Sequence, residues 1–495
     1  MSVSTLTSLN RLFWIAAASA IIMLVVVTGL RTHSALKAVD SAPGVHVTSG
    51  CEEESMFAIW RQSHGEPVYF DSSRPPYSSA YFNWLFYRTY GLVAPSGSSA
   101  ESGAALIRNG RLLTLAGALC GALLLSSLAW KLTERQPPHV RMTGVAAAAF
   151  AFLGPLPGWW IITLRPDIWA ATLECAGLLG VIALWRRSPA TTAVVAALCF
   201  YAAWAFKQNF VQGLGIALLF LLCRRQWKTA AGLLGLSVAG WAATLILLGP
   251  DYRAALLSTA ATSHYSLSLG IQSLIATTVR CLPLVAASAC LTFLRAPEDE
   301  SPLIRDSRQL ALIGLPLSLA FSFLTSCKLG AALNYYFSPM VLLAVLALVA
   351  MTRIKAVLPA TLALLGIAAL CGWLFLFGSL HLRASLAAQT RARWELLQHA
   401  PSPRFADDQP LNLPWLNPGQ PAYLTAFHYA DDRGRGRKFL HDGIGGLIQQ
   451  RYFAALLLPD HITDTYDHAS LSGYQRGASA GGNTLWLRTP LSSNP

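Results

Sequence analysis

The feature of this sequence that most constrains its fold is a series of long apolar segments separated by short polar loops. A helix needs about 20 apolar residues to cross a bilayer. Eleven segments approach that length, centred near residues 20, 117, 150, 176, 197, 216, 240, 282, 317, 344 and 367. Only 12% of the residues are charged, about half the fraction usual in soluble domains. The sequence therefore predicts a polytopic α-helical membrane protein with about eleven transmembrane helices, the first of them retained because it is longer than the apolar region of a signal peptide.

The basic residues occupy alternate loops between these segments. The clusters lie at residues 131–141, 186–187, 224–228, 295–308 and 353–355. Because basic loops stay on the cytoplasmic side, the pattern predicts an inner (plasma) membrane protein with a cytoplasmic amino terminus. The same clustering explains the net charge of +13 as membrane topology, with membrane lipids as partners and no nucleic-acid surface.

The pattern also divides the chain into two predicted domains. Residues 1–379 form the transmembrane domain, with a long first outer loop at 31–105, and residues 380–495 form a periplasmic or extracytoplasmic domain. In this tail "PAYLTAF", "YFAALLLP" and "TLWLRTP" are typical of short strands, and "RKFLHDGIGGLIQQ" is typical of a helix. We therefore expect a small C-terminal α/β domain, with "RGRGR" in a loop.

The first outer loop contains an unusual acidic stretch, "GCEEESMFAIWRQSHGEPVYFDSSRPPY" at residues 50–77. Apolar residues at helical spacing predict an amphipathic interfacial helix that ends near Gly65. The two prolines then prevent any helix from continuing, and "SSAYFNWLFYRTYG" predicts a second interfacial helix. One or two glutamates are explained by the positive end of a helix dipole. Three carboxylates beside a bilayer are costly and indicate a function.

Three isolated cations lie in loops that the topology places outside: Arg165 in "LRPDIWA", Lys207 in "AFKQNF" and Lys328 in "CKLGAALNYYF". The apolar segments flanking Lys207 are short, so the "KQN" turn should lie below the membrane surface. Irregular backbone at that depth needs protein or a water-filled cavity around it, and a cation there should face an anion. Each cation also has a purely structural interpretation: an ion pair with Asp167 for Arg165, snorkelling for Lys207 and interfacial anchoring for Lys328.

These motifs resemble those of a known family. The stretch "EESMFAIWRQSHGEPVYFDSSRPPYSSAYFNWLFYRTYG" resembles the first outer loop of the C-type (GT-C) integral-membrane glycosyltransferases. It is most similar to the superfamily of protein O-mannosyltransferases and lipid A aminoarabinose transferases. "LRPDIWA", "FKQNF" and "LGAALNYYF" match later motifs of that superfamily in the same order. The sequence departs from the family in having three glutamates where an acidic pair, commonly with an aspartate, is expected.

The resemblance implies an inverting enzyme that takes a sugar from a polyprenyl-phosphate donor and transfers it to a hydroxyl of a glycan, lipid or protein. A carboxylate at the membrane interface, made more basic by low dielectric and by like-charged neighbours, suits deprotonation of that hydroxyl. Glu53 is the first choice for this base, and Glu54 and Glu52 stay open.

The leaving phosphate needs cationic or polar partners. The donor-phosphate-binding candidates are Lys207, Arg165, Gln208 and Lys328. Supporting residues for orientation, donor contact or the acceptor route are Asp167, Asn334, Tyr335, Arg74, His264 and Tyr265. No Asp-x-Asp motif occurs, so a divalent metal is possible but not indicated.

The alternative is a membrane transporter or lipid-carrier flippase, because charged residues within transmembrane segments line substrate paths. Transport leaves the acidic loop and the polar tail unexplained, and the sequence shows no internal repeat.

Overall fold

The computed structural model describes residues 3–41, 52–78, 80–260, 265–292, 294, 300–328, 330–354, 356–378, 380–424, 427–459 and 471–490. Helices account for most of this part of the chain. Their bounds are α1 Val3–Ser41, α2 Glu52–Ser63, α3 Trp84–Gly91, α4 Ala100–Leu132, α5 Pro138–Leu153, α6 Asp167–Leu184, α7 Pro189–Phe206, α8 Gln212–Cys223, α9 Trp227–Leu247, α10 Gly249–Ala260, α11 Leu267–Arg280, α12 Leu282–Ala289, α13 Pro302–Ser326, α14 Phe337–Met351, α15 Val357–Gly378, α16 Leu380–Leu397, α17 Phe427–Gly434 and α18 Gly443–Gln449.

The prediction of a polytopic helical membrane protein is confirmed, but the count of about eleven spans is not. Among the described residues eight helices are long and apolar enough to cross a membrane: α1, α4, α6, α7, α9, α13, α14 with the turn before it, and α15. A ninth is reached if α11 and α12, which are bent by 80°, form one span. All eleven expected centres fall in helices. The difference arises because α5 has only 16 residues and α8 only 12, too few to cross a bilayer alone.

The interior of the bundle is built around α14 and α6. Of the 18-residue apolar stretch that includes α14, 83% is buried inside the protein, and the corresponding fraction for α6 is 61%. Apart from Asp167 and Glu174 of α6, both helices are largely apolar on all sides, which is typical of a helix surrounded by other helices. The amino-terminal ends of α6, α8 and α14 face the same region. α6 and α8 follow turns at residues 163–166 and 207–211, and α14 follows a short 3-10 helix, Leu333–Tyr336.

The carboxyl-terminal part contains a four-stranded sheet in the order β1-β2-β4-β3. The strands are β1 Arg404–Ala406, β2 Ala455–Pro459, β3 Tyr474–Ala480 and β4 Asn483–Arg488. β1 runs parallel to β2, while β2 and β3 are antiparallel to β4, with Leu456 opposite Trp486.

The sequence predicted this tail only in part. β2 and β4 lie in the expected segments "YFAALLLP" and "TLWLRTP", but the strand expected in "PAYLTAF" is wrong, because residues 421–424 are irregular. β3 was missed since most of its side chains are exposed and polar. The expected helix begins only at Gly443, because His441 and Asp442 have positive φ angles of 58° and 57°, which no α-helix contains.

The proline-rich elbow of the first long loop packs on this carboxyl-terminal part. The Tyr77 hydroxyl donates a hydrogen bond of 2.5 Å to the Leu440 carbonyl, and the Leu440 N–H donates to the Ser73 carbonyl at 2.9 Å. The Tyr77 ring lies 5.9 Å from Tyr429 and 5.8 Å from Phe439 between ring centroids. These contacts attach the loop after α2 to the carboxyl-terminal domain.

Candidate functional site

The three consecutive glutamates form the first turn of α2, and all three are buried. Their exposed fractions are 0% for Glu52, 5% for Glu53 and 1% for Glu54. Carboxylates in the first turn of a helix interact favourably with its dipole, which explains why the helix begins here. A solvated helix start would leave such side chains in water. Their burial therefore indicates that this turn belongs to a candidate functional site.

Glu52 is held by the transmembrane helices. Its Oε1 lies 3.4 Å from Nη2 of Arg111 on α4, and both side chains have no exposed surface. The Leu164 N–H donates to the same oxygen at 3.1 Å, and Arg111 Nη1 donates to the Ala35 carbonyl at 2.6 Å. Glu52 therefore joins α2 to α1, α4 and the segment before α6.

Glu53 faces the opposite direction, toward the carboxyl-terminal domain. It lines a cavity of about 380 Å³ whose other walls include Arg393, Asp407, Asp408 and Asn483. Arg393 Nη1 donates to Asp408 Oδ2 at 3.0 Å, so Asp408 is paired with a cation within the wall. The cavity brings a carboxylate of α2 within reach of a molecule that enters beside the sheet.

Glu54 faces the interior of the bundle. Burial raises the pKa of its carboxyl well above the usual range, and the charge of neighbouring Glu53 raises it further, while Arg165 and the Tyr81 side chain act in the opposite direction. A carboxyl with a raised pKa is a stronger base once it loses its proton. Glu54 also interacts electrostatically with Arg165, the cation that precedes α6.

Asp167, the first residue of α6, binds side chains from the three short segments that precede α6, α8 and α14. Its Oδ1 accepts hydrogen bonds from Lys207 Nζ and from Asn334 Nδ2, and its Oδ2 accepts from Arg165 Nε at 3.3 Å. We call Arg165, Asp167, Lys207 and Asn334 the Asp167 cluster. All four side chains are nearly or fully buried, and Lys207 faces an anion as expected.

Two cations meet one carboxylate in the Asp167 cluster. Arg165 and Lys207 both contact Asp167, and Glu54 of α2 interacts electrostatically with Arg165. Fixed cations side by side in a buried place are an arrangement that stabilises an anionic group such as a phosphate.

Aromatic rings form the walls around these cations. The Phe82 ring centroid lies 5.5 Å from the Arg165 guanidinium carbon and 5.7 Å from Lys207 Nζ, and Tyr335 lies 5.4 Å from Lys207 Nζ. Cations over aromatic faces at this range are attracted to them. Gln208 donates from Nε2 to the Tyr81 carbonyl at 2.8 Å, which places it against the segment that carries Phe82.

Other candidates from the sequence lie outside the cluster. Arg74 is 74% exposed and lies 3.6 Å from Asp71. Lys328 is half-buried, and Tyr265 is 63% exposed and pairs with Lys328 as an isolated β-bridge. His264 lies outside the described residues. The contacts described here join Arg74 to Asp71 and Tyr265 to Lys328, and the roles of Arg74, Lys328 and Tyr265 in the site stay predictions.

Sequence reasoning missed several buried charged residues, among them Arg111 and Glu174. Each lies inside an apolar segment, at 0% and 2% exposure respectively. A charged residue in a transmembrane segment is rare and marks a specific interaction, so the signal was present in the sequence. Within the described ranges, no group of three or more histidine, cysteine, aspartate or glutamate side chains is placed to hold a metal ion.

The fold that carries this site is the GT-C fold of C-type membrane glycosyltransferases. The structure is similar to that of ArnT from Cupriavidus metallidurans bound to undecaprenyl phosphate, with a TM-score of 0.59 and 14% sequence identity over 96% of this chain and 99% of that chain. The apo structure of the same protein gives a TM-score of 0.58 at 14% identity, over 95% and 98% of the two chains. No family model and no curated protein sequence matches the chain. The similarity thus extends over the whole length and lies in the fold.

Proposed function

We propose that the protein is a membrane glycosyltransferase that moves a sugar from a polyprenyl-phosphate donor to an acceptor hydroxyl. The observation that carries this proposal is the combination of two features on one side of the bundle. One is the buried acidic turn of α2, and the other is the buried Asp167 cluster with its two cations, Arg165 and Lys207. The GT-C fold supports the proposal, as does the undecaprenyl phosphate bound to the similar ArnT protein.

The donor phosphate binds to Arg165 and Lys207 in this mechanism. As the bond between the anomeric carbon and the phosphate oxygen breaks, negative charge increases on the phosphate, and fixed cations in a dry site stabilise it. Asp167 and Asn334 orient the two cations. Asn334 Nδ2 and Lys207 Nζ share the same carboxylate oxygen of Asp167, so the three side chains move together.

The base belongs to the acidic turn, and Glu53 is our first choice. The acceptor hydroxyl gives its proton to the carboxylate while its oxygen attacks the anomeric carbon from the side opposite the phosphate, so the configuration inverts. Glu53 lines the cavity beside the sheet, where an acceptor can approach. Glu54 is the second choice because its pKa is raised. Glu52 is disfavoured because it is already bound to Arg111 and the Leu164 N–H.

The cavity beside the sheet is the proposed acceptor entrance. Its walls come from α2, α16 and the loops of the sheet. With the topology expected from the basic loops, this entrance opens on the outer face of the inner membrane, and the carboxyl-terminal domain covers it there.

The proposal is tested with purified protein in liposomes that contain one radiolabelled polyprenyl-phosphate sugar at a time and a membrane extract as acceptor source. We expect transfer of label with at least one sugar, and loss of more than 90% of it in Glu53→Gln, which keeps the size of the side chain. If Glu52→Gln, Glu53→Gln and Glu54→Gln all transfer as much label as wild type, the mechanism is excluded. Movement of labelled lipid across the bilayer without any transfer would favour a flippase.

A further inference from the structure

A second carboxylate on α6, that of Glu174, has no part in the chemistry proposed above. It follows Asp167 by seven residues, or about two helical turns, so both side chains lie on the same face, about 10 Å apart along the axis. Glu174 is 2% exposed. Because a carboxylate inside a membrane-spanning helix is costly, its partners identify its role.

Both partners of Glu174 are the second residues of other helices. The Gly213 N–H at the start of α8 donates to Glu174 Oε1 at 2.6 Å, and the Ser338 hydroxyl at the start of α14 donates to Oε2. N–H groups in the first turn of a helix lack an intrahelical acceptor, and a carboxylate is favourable there. Glu174 therefore joins α6 to the starts of α8 and α14.

The same two segments also meet Asp167. Lys207 precedes Gly213 by six residues, and Asn334 precedes Ser338 by four. Asp167 binds Lys207 and Asn334 directly. Thus α6 contacts each segment twice, once at the Asp167 cluster and once about two turns further along.

The residue type at position 213 is required by this contact. A Cβ atom added at Gly213 would lie 2.4 Å from Glu174 Cγ and 2.9 Å from Oε1, closer than real Cβ contacts allow. Only glycine lets the start of α8 approach the carboxylate to hydrogen-bonding distance.

We propose that Glu174 is a positioning residue that holds the starts of α8 and α14 so that Lys207 and Asn334 converge on Asp167. It does not touch the donor. It sets the distance between the segments at 207–211 and 333–336, and through them the geometry of the phosphate site. The last step rests on the proposed function, because a phosphate is taken as the ligand of the Asp167 cluster.

The test compares Glu174→Ala, Glu174→Gln and Gly213→Ala in full-length protein in nanodiscs. Gln keeps an acceptor for the Gly213 N–H and a polar partner for Ser338, so it should behave as wild type. We expect Glu174→Ala and Gly213→Ala to speed amide hydrogen exchange at residues 207–213 and 333–338. They should also weaken binding of undecaprenyl phosphate about tenfold, as expected if the displaced Asp167 cluster loses one hydrogen bond to the phosphate.

The matched control is Asp306→Ala. Asp306 is also a buried carboxylate in a helix, and it accepts from Trp185 Nε1 at 3.0 Å and Arg186 Nε at 2.8 Å, remote from Asp167. Its loss should lower the melting temperature while exchange at 207–213 and 333–338 stays as in wild type.

Three results would overturn the positioning role of Glu174 or the proposed function. If exchange in either segment is unchanged in both Glu174→Ala and Gly213→Ala, Glu174 does not position them. If Asp306→Ala weakens undecaprenyl phosphate binding as strongly, the effect is general destabilisation. If wild-type protein fails to bind undecaprenyl phosphate, the proposed function falls, while the exchange data still decide the positioning role.

Discussion

At the scale of single residues, the candidate site is a set of buried charges that converge from distant segments of the chain. Arg165 and Lys207 share Asp167. Glu54 interacts electrostatically with Arg165, and burial raises the pKa of the Glu54 carboxyl. Each of these residues can be tested by a substitution that changes charge while keeping size or packing.

Replacing Lys207 by Ala should weaken donor binding about 10- to 100-fold, the range expected when a charge-assisted hydrogen bond of about 1.5–3 kcal/mol is lost. Acceptor affinity should change little, because the acceptor cavity lies on the other side of α2. The measurement is binding of a polyprenyl-phosphate sugar, compared with the acceptor concentration that gives half-maximal transfer.

Lys131→Ala is the control for Lys207, since it removes an exposed lysine in the last turn of α4, which is not a candidate for the site. Its donor affinity should match wild type. If Lys207→Ala binds the donor as tightly as Lys131→Ala does, Lys207 has no phosphate role.

The raised pKa of Glu54 should make stability depend on pH. Above the ordinary glutamate pKa of about 4.3, the unfolded chain releases this proton while the folded protein keeps it, because burial raises the pKa of Glu54. The folded state then loses stability as pH rises, by up to about 1.4 kcal/mol per pH unit, until the folded-state pKa is passed. Melting temperatures of wild type and Glu54→Gln, measured in detergent from pH 4 upward, should show a shallower decline for the variant.

Glu101→Gln controls for removal of a negative charge at an exposed place, the first turn of α4. Its melting temperatures should follow the wild-type curve. Parallel curves for all three proteins would show that Glu54 does not hold its proton in the folded state.

The sequence revealed candidate residues at this scale but not their partners. Lys207 was expected to face an anion because its turn lies between two short apolar segments. The sequence also offered Lys328 as an isolated outer cation, and its role in the site stays a prediction. A local pattern reports that a charge is unusual, whereas its partner depends on packing: Asn334 meets Asp167 across 167 residues of sequence.

At the scale of elements, α2 is fixed by its first residue. Glu52 binds Arg111 with both side chains fully buried, so the helix cannot tilt without separating two charges in a dry interior. This contact decides that Glu53 and Glu54, on neighbouring positions, face the cavity and the Asp167 cluster.

Arg111→Met should destabilise the protein by about 3–5 kcal/mol, because it leaves the Glu52 charge buried without its cation. The double variant with Glu52→Gln should be less damaged than the sum of the two single variants, since the uncompensated charge is gone. Thermal unfolding of the two single variants and the double variant measures this coupling.

Arg108→Met tests the specificity of that effect on the same helix. Arg108 pairs with Asp40, but both side chains are about half exposed, at 45% and 59%, so its loss should cost less than about 1 kcal/mol. Additive effects of Arg111→Met and Glu52→Gln would mean that the two residues do not act as a pair.

Helices were easier to predict from the sequence than strands. Every expected membrane segment contains a helix, because an apolar stretch of that length has few other ways to satisfy its backbone in a membrane. The short strands of the tail depend on their neighbours. β3 is mostly exposed and polar and forms because β4 supplies its hydrogen bonds.

At the scale of the whole molecule, the carboxyl-terminal domain is attached to the loop that follows α2. Tyr77 lies between the rings of Tyr423, Tyr429 and Phe439 and donates to the Leu440 carbonyl. The domain therefore covers the acidic turn and forms the wall of the cavity that Glu53 lines.

Tyr77→Ala should loosen this attachment. It removes a buried aromatic ring, a change that costs about 3–5 kcal/mol where the surroundings do not collapse, whereas Tyr77→Phe removes only one hydrogen bond, worth about 1 kcal/mol. Amide exchange at residues 73–77 and 440–448 should rise strongly in Tyr77→Ala and slightly in Tyr77→Phe, while exchange in α14 stays slow. Equal exchange in all three proteins would show that Tyr77 does not hold the domain.

The sequence by itself determined the membrane class, the order of the apolar helices and the motifs that resemble the GT-C family, because these depend on local composition and spacing. Only the tertiary structure decided what each buried charge does. Glu52 meets Arg111 across 59 residues, and Glu174 meets Ser338 across 164. The physical reason is that the role of a charge buried among helices depends on the partner that neutralises it. That partner is determined by packing between segments that are distant in the sequence.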